Sequence, residues 1–155
     1  RTISLIAGLL GITLVGMTGA ITALGDTLFP SSSLLDGIQQ DLSPTAHFLI
    51  RLRVWHPILS VISGVYLIFI AGLVIVERKS SRIHRFGWGL IGLVTTQLLA
   101  GIINLVLLAP LWMQIVHLLL ADMVWISLVL FSVNLLSEPE TQMNTEAIDI
   151  RQEIS

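Results

Sequence analysis

Four long apolar runs, separated by short polar stretches, set the frame of this chain. The first extends from about Ile3 to Leu24 and the second ends near Val76. The third covers Phe86 to Leu108 and the fourth Leu111 to Leu136. Each can supply the roughly 20 residues that a helix needs to cross a bilayer core. Between the first two runs, the segment from Gly25 to Ser43 carries Pro30, a serine run, Asp26, Asp36 and Asp41. Within it, Ser33 to Gln40 is predicted to form a short amphipathic helix resting on the membrane surface. Ser43-Pro44 then reads as an N-cap followed by proline at the first helical position. A helix opened there and continuing to Val76 is about 50 Å long, so its first turns project above the membrane.

The stretch ERKSSRIHR sets Arg78, Lys79, Arg82 and Arg85 against the single acid Glu77, which marks it as a cytoplasmic loop. Ala109-Pro110 is a tight outer turn flanked by Trp112, and Trp88 is an interfacial anchor. The expected fold is all-α: an antiparallel bundle of four transmembrane helices over residues 1–137, with both termini cytoplasmic. Residues 138–155 form a polar, acidic, mobile cytoplasmic tail. Gly8, Gly11, Gly16, Gly19 and Ala20 of the first span are read as helix-packing positions.

Composition narrows the functional classes. Hydrophobic residues make up 54% of the chain, charged residues 12%, and mean hydropathy is +0.89, too apolar for a soluble domain. A net charge of −2 gives nucleic acid no foothold. The absence of cysteine excludes disulfides, thiolate-ligated haem, iron–sulfur clusters and covalent c-type haem. Any cofactor must be held by nitrogen or oxygen ligands. The first span lacks the small-residue cleavage site of a signal peptide, and the opening on Arg1 suggests a segment of a longer protein.

Two histidines interrupt the apolar runs, His56 in RVWHPILS and His117 in QIVHLLLADMVW. An ionisable or metal-ligating side chain inside a bilayer is costly and points to function. Both fall in the outer third of their spans, where a planar macrocycle could be clamped between the second and fourth helices by two imidazoles. The alternative is a pair of structural histidines bonded to backbone or hydroxyl groups; matched depth favours ligation. Pro57 removes a backbone donor beside His56 and can bend the helix to aim the ring.

Arg51 and Arg53 lie at the outer end of the second span, where the positive-inside rule disfavours them. Arg53, one turn from His56 on the same face, could pair with a haem propionate, and Arg51 could join it or snorkel into the headgroups. His47 is a poor ligand candidate on nearly the opposite face, and His84 is expected to be solvated. Asp122, mid-span, is expected to be satisfied by Thr95, Thr96 or Gln97 across the bundle. Asn104 could bond an imidazole N–H.

TGAITALGDTLFP, AHFLIRLRVWHP and QLLAGIINLVLLAPLWMQIVHLLLADMVW together resemble the heme A synthase family, from Thr18 to Leu136. The resemblance implies two pseudo-symmetric four-helix halves, each with a histidine pair on its second and fourth helices. His56 and His117 match such a pair. One half of the family carries a glutamate three residues before the first histidine and hosts the haem O substrate; Arg53 stands there in this chain. The outer-loop cysteine pair of many members is also absent. The resemblance therefore implies the C-terminal, haem b-binding half, in a prokaryotic plasma membrane. Its partners would be membrane lipid and an N-terminal catalytic half or another copy of itself. The module would support, by electron transfer, the oxidation of a haem O methyl to the formyl of haem A. The segment alone lacks the catalytic glutamate, so its standing as an enzyme depends on that partner. Two other readings stay open: a non-catalytic b-type cytochrome subunit, and a haem-free membrane scaffold.

Overall fold

The computed structural model describes residues 2–45 and 47–154, with side chains among them except at 51, 52 and 138–154. Its elements are α1 (Thr2–Leu28), α2 (Leu34–Leu42), α3 (Phe48–Arg53), α4 (Trp55–Glu77), α5 (Ser81–Val106) and α6 (Leu111–Ile154). Among the described residues there is no strand. Four segments are long and apolar enough to cross a membrane: Thr2–Leu28, Phe48–Glu77, Ser81–Val106 and Leu111–Ser137. The four expected spans are therefore present in an all-helical, multi-pass architecture. The backbone of α6 continues past Leu136, and the side chains of the polar tail at 138–154 lie outside the described residues.

The surface helix α2 forms where expected. Ser33 is its N-cap, its hydroxyl accepting the Asp36 N–H at 3.1 Å. Asp36 reaches back to accept the Ser32 N–H at 2.8 Å, and that bond holds its carboxyl below the usual range.

The reading of Ser43-Pro44 as the start of the next helix is corrected. Ser43 closes α2 instead, its N–H bonded to the Gln40 carbonyl, and α3 starts only at Phe48. There His47 takes the capping role, its Nδ1 accepting the Leu49 N–H at 3.3 Å while its ring packs 5.3 Å from Phe29. The long second helix is also interrupted at Val54. Pro57 explains the position: it has no N–H for the Arg53 carbonyl, and its ring crowds that same carbonyl.

Two further boundaries move. Helix α5 begins at Ser81, so Arg82, His84 and Arg85 are helical and the connection shrinks to Arg78, Lys79 and Ser80. His84 is not a solvated loop residue: half-buried, its Nε2 lies 2.6 Å from the Arg78 carbonyl and ties the turn shut. The expected turn at Ala109-Pro110 is present, with Leu108 and Ala109 both left-handed at φ 59° and 51°. For residues bearing a Cβ this costs about 1–3 kcal/mol each. Bonds from Ala109 N–H to the Asn104 carbonyl at 2.8 Å and from Gln114 Nε2 to the Ala109 carbonyl at 2.6 Å offset the strain.

Helix α1 packs against α4 and α6, and α5 also packs against α4 and α6, so α4 and α6 face each other across the diagonal. The buried core is lopsided. It gathers Leu5, Leu67, Ala71, Val74, Ile83, Leu90, Val94, Val124, Leu128, Phe131 and Leu135. These come from the start of α1, the later part of α4, the first part of α5 and the later part of the span Leu111–Ser137 in α6. At the opposite end, where α4 and α6 begin, buried apolar side chains thin to Ile50, Ala100 and Met113. Both histidines sit at this thinly packed end.

Candidate functional site

His56 enters the bundle in the first turn of α4, just past the break that Pro57 imposes. Its ring lies on Gly19 of α1, where a Cβ would come within 3.0 Å of the imidazole Cε1. A side chain there would make the ring give way by a few tenths of an ångström. Thr18 Oγ1 is 3.4 Å from His56 Nδ1. That hydroxyl already donates to the Leu14 and Val15 carbonyls, at 3.1 and 3.0 Å, so towards the ring it can only accept. With the hydroxyl proton committed to the backbone, a proton on Nδ1 satisfies this contact and leaves the Nε2 lone pair free.

His117 repeats the arrangement on the other diagonal helix. Its ring lies on Gly101 of α5, where a Cβ would come within 3.2 Å of Cε1. Gln97, one turn away on α5, places Nε2 3.4 Å from His117 Nε2, which makes that ring nitrogen the acceptor. His117 Nδ1 is buried without a partner, as are Asn104 Oδ1, Gln97 Oε1 and Thr22 Oγ1. Such orphaned groups are uncommon in a finished interior and call for explanation. Thr22 and Asn104 lie one turn along from the glycines that seat His56 and His117, and Gln97 contacts His117 directly.

The donor set suits axial ligation of a haem iron, which asks for two imidazole nitrogens and leaves the remaining positions to the macrocycle. It does not suit a bare metal ion. Among the described residues no group of three or more His, Asp or Glu gathers for one. A groove lined by Ser4, Leu5, Ile70, Leu73, Val74, Glu77 and Leu135 lies at the packed end of the bundle, away from this chemistry.

Arg53 is buried, at 9% exposure, and its partners were not foreseen from sequence. Its Nη1 donates to Asp26 of α1 at 2.9 Å, and its Nε and Nη2 donate to Asp41 of α2 at 2.8 and 2.6 Å. The guanidinium thus clamps three elements together one turn before His56, with N–H groups to spare. Arg51 has a side chain outside the described residues. His47 is exposed and engaged with the start of α3, consistent with its exclusion as a ligand.

The expectation for Asp122 is overturned. Thr95 and Thr96 donate to carbonyls of their own helix, Ile91 and Gly92, at 2.8 and 2.9 Å. Gln97 turns to His117, and Asp122 is exposed on the outer face of α6.

Residues 2–129 match the COX15-CtaA family, described as cytochrome oxidase assembly protein. The chain belongs to that family. This is the heme A synthase family, as the motif resemblance implied. Two relatives, from two strains of Thermus thermophilus, are 48% and 47% identical over 134 residues. Both are named protoheme IX farnesyltransferase. The matched region is 86% of this chain but 22% of each relative, so the chain spans about a fifth of their length. No solved structure gives a significant match.

Proposed function

We propose that this four-helix unit is the haem b-binding module of a heme A synthase. The observation that carries the reading is the pair of glycine-seated imidazoles on diagonal helices, both offering Nε2 at the thinly packed end. In this reading His56 and His117 hold the iron, each ring kept in orientation by the helix beneath it. Gln97 yields its contact with His117 Nε2 to the metal, and Asn104 offers an acceptor for Nδ1–H. Arg53 has donors left for a propionate while it holds Asp26 and Asp41. A haem iron bound here supplies one-electron redox chemistry.

Consecutive spans run antiparallel, supported by the meeting of Gly19, late in α1, with His56, early in α4, and of Gly101, late in α5, with His117, early in α6. The basic connection after α4 is cytoplasmic, as are both termini, in a prokaryotic plasma membrane. The family role in oxidase assembly supports a haem A pathway. The name of the Thermus relatives agrees with it, because farnesyl transfer to protoheme yields haem O, the molecule whose methyl group becomes the formyl of haem A. Position 53 holds a guanidinium and not a carboxylate, so the module's part is electron transfer beside a separate catalytic site.

The purified chain, reconstituted with haem b, is expected to show a low-spin Soret spectrum that His56→Ala or His117→Ala abolishes or converts. No Soret band, or a spectrum indifferent to both substitutions, would overturn the reading. A strictly monomeric preparation is expected to leave added haem O unchanged, as followed by mass analysis of the extracted haem.

A further inference from the structure

Arg53 meets two carboxylates with one positive charge. Asp41 accepts two of its N–H groups on one oxygen, from Nε and Nη2, whereas Asp26 accepts a single one, from Nη1. The three side chains are largely buried, at 10% exposure for Arg53, 20% for Asp41 and 23% for Asp26. Among the described side chains this triad keeps one uncompensated negative charge, at the end of the bundle that holds the histidines. The other ionisable groups near this end, on the elements packed around Asp26, are Asp36 of α2, Arg51 of α3, His56 of α4 and His117 of α6. Asp36 is turned to Ser32 and Gln40, and the Arg51 side chain lies outside the described residues. Asp26 is seven residues beyond Gly19, the seat of His56, so both stand on one face of α1 about 10 Å apart along the helix.

We propose that Asp26 is a proton-binding site coupled to the redox state of the haem iron, taking up a proton on reduction and releasing it on oxidation. The inference rests on the haem-binding reading above. A propionate joining Arg53 brings a third carboxylate to one guanidinium, and carboxylates crowded in partial burial do not all stay ionised. Asp26 is the member held by the fewest N–H groups, so the shared proton goes there. Its protonated carboxyl can still accept the Nη1 bond on the carbonyl oxygen, and the clamp survives in either state. The balance is one electron for one proton: a one-electron donor reduces the iron, and a proton from the aqueous phase forms an O–H bond on Asp26. Oxidation sends both back. At a range of about 10 Å and an effective dielectric of about 20, a unit change of charge alters proton affinity by about tenfold.

Spectroelectrochemical titration of the full chain loaded with haem b tests this. The midpoint potential is expected to fall as pH rises, by about 59 mV in total, which is that tenfold change for a one-electron couple. Asp26→Asn keeps an acceptor for Arg53 Nη1 but cannot take the proton, and should flatten the fall. Asp36→Asn, outside the triad, should retain it. In the unmodified chain, infrared difference spectra should show a carboxylic-acid C=O band appearing on reduction. A potential independent of pH, or no such band, would overturn the proposal without reference to any variant. So would an undiminished fall in Asp26→Asn, which would put the proton on a propionate, or a fall lost equally in Asp36→Asn, which would show a general charge effect. A low-spin haem whose potential ignores pH sinks this inference alone, whereas a chain without a Soret band sinks the proposed function and this inference with it.

Discussion

Phe131 and His117 lie on the same helix about four turns apart, and their surroundings differ in kind. Phe131 is 1% exposed within a continuous apolar cluster drawn from all four spans. His117 is half-buried, its Nδ1 without a partner and its Nε2 3.4 Å from the Gln97 amide. The first environment is complete in the chain alone; the second is not. Dispersion contacts at the packed end hold the four helices in register, since in lipid the helices gain little from hydrophobicity alone. The other end can then keep unsatisfied groups. Stability and chemistry are thus segregated along the bundle axis.

The sharpest way to break this comparison is to truncate one residue from each end. Phe131→Ala is expected to destabilise the bundle by about 3–5 kcal/mol, as a core cavity does. What still folds should bind haem with an unchanged spectrum. His117→Ala should change the stability of the haem-free chain by less than about 1 kcal/mol, because the ring gives up only a long contact to Gln97 and takes an unpartnered buried nitrogen with it. It should nonetheless lose the low-spin spectrum. Thermal melts and visible spectra of the two variants test both halves of the comparison. A large stability loss in haem-free His117→Ala would show that the histidine end carries structural load.

Arg53 is the exception that sharpens the contrast, being an ion-paired centre at the thinly packed end. Arg53→Ala leaves Asp26 and Asp41 facing each other in partial burial. The expected cost is about 2 kcal/mol, below the value for a wholly buried pair because the carboxylates remain partly exposed. Arg82→Ala, on an exposed side chain, should cost within about 0.5 kcal/mol. Haem retention should follow the same order. Equal effects of the two substitutions on melting and retention would remove Arg53 from both roles.

Which parts are readable in advance follows from the range of the interactions. The four spans are visible because an apolar run is a local property. The helix break at Val54 is also local, since Pro57 names the carbonyl it disrupts; treating the proline only as a bend misses it. Asp26 and Asp41 lie 27 and 12 residues from Arg53, and no periodicity links them to it. Ser43 misleads because a serine before a proline suits a helix start, while α2 needs the same residue as its end. The direction of Asp122 depends on how α6 is rotated against α1 and α5, which the sequence of α6 alone does not contain. The histidine pair is readable, but its glycine seats are not: in sequence, Gly19 is one packing residue among several.

Those seats give a smaller test. Gly101→Ala should change stability little, because a gain of up to about 1 kcal/mol in helix propensity is opposed by the close approach to His117. It should still tilt the ring and weaken haem retention about tenfold, within the range seen when the support of a metal ligand is removed. Gly16→Ala, with nothing within 4 Å of the added Cβ, should stabilise slightly and leave haem untouched. Parallel haem-transfer assays on the two variants decide whether Gly101 is a seat or merely a small residue.

The smallest expected effect concerns α2, which belongs to neither end of the spanning bundle. Its attachments are the Asp41–Arg53 pair and packing on α3. Its own start depends on Ser33, whose hydroxyl caps the Asp36 N–H, with Asp36 in turn holding Ser32. Ser33→Ala should fray the first turn at a cost of about 1 kcal/mol. The Asp36 carboxyl is held low by the Ser32 bond, so its contribution is present above the ordinary carboxylate range and fades only as pH falls through its lowered value. Asp41 sits in the last turn of α2, away from the frayed end, so the clamp on Arg53 should survive. Hydrogen exchange is therefore expected to rise at Leu35 to Gly37 and stay unchanged in α3, with the haem spectrum unaltered. Faster exchange throughout α3 would show that the cap and the clamp are one cooperative unit, and that α2 is part of the histidine end after all.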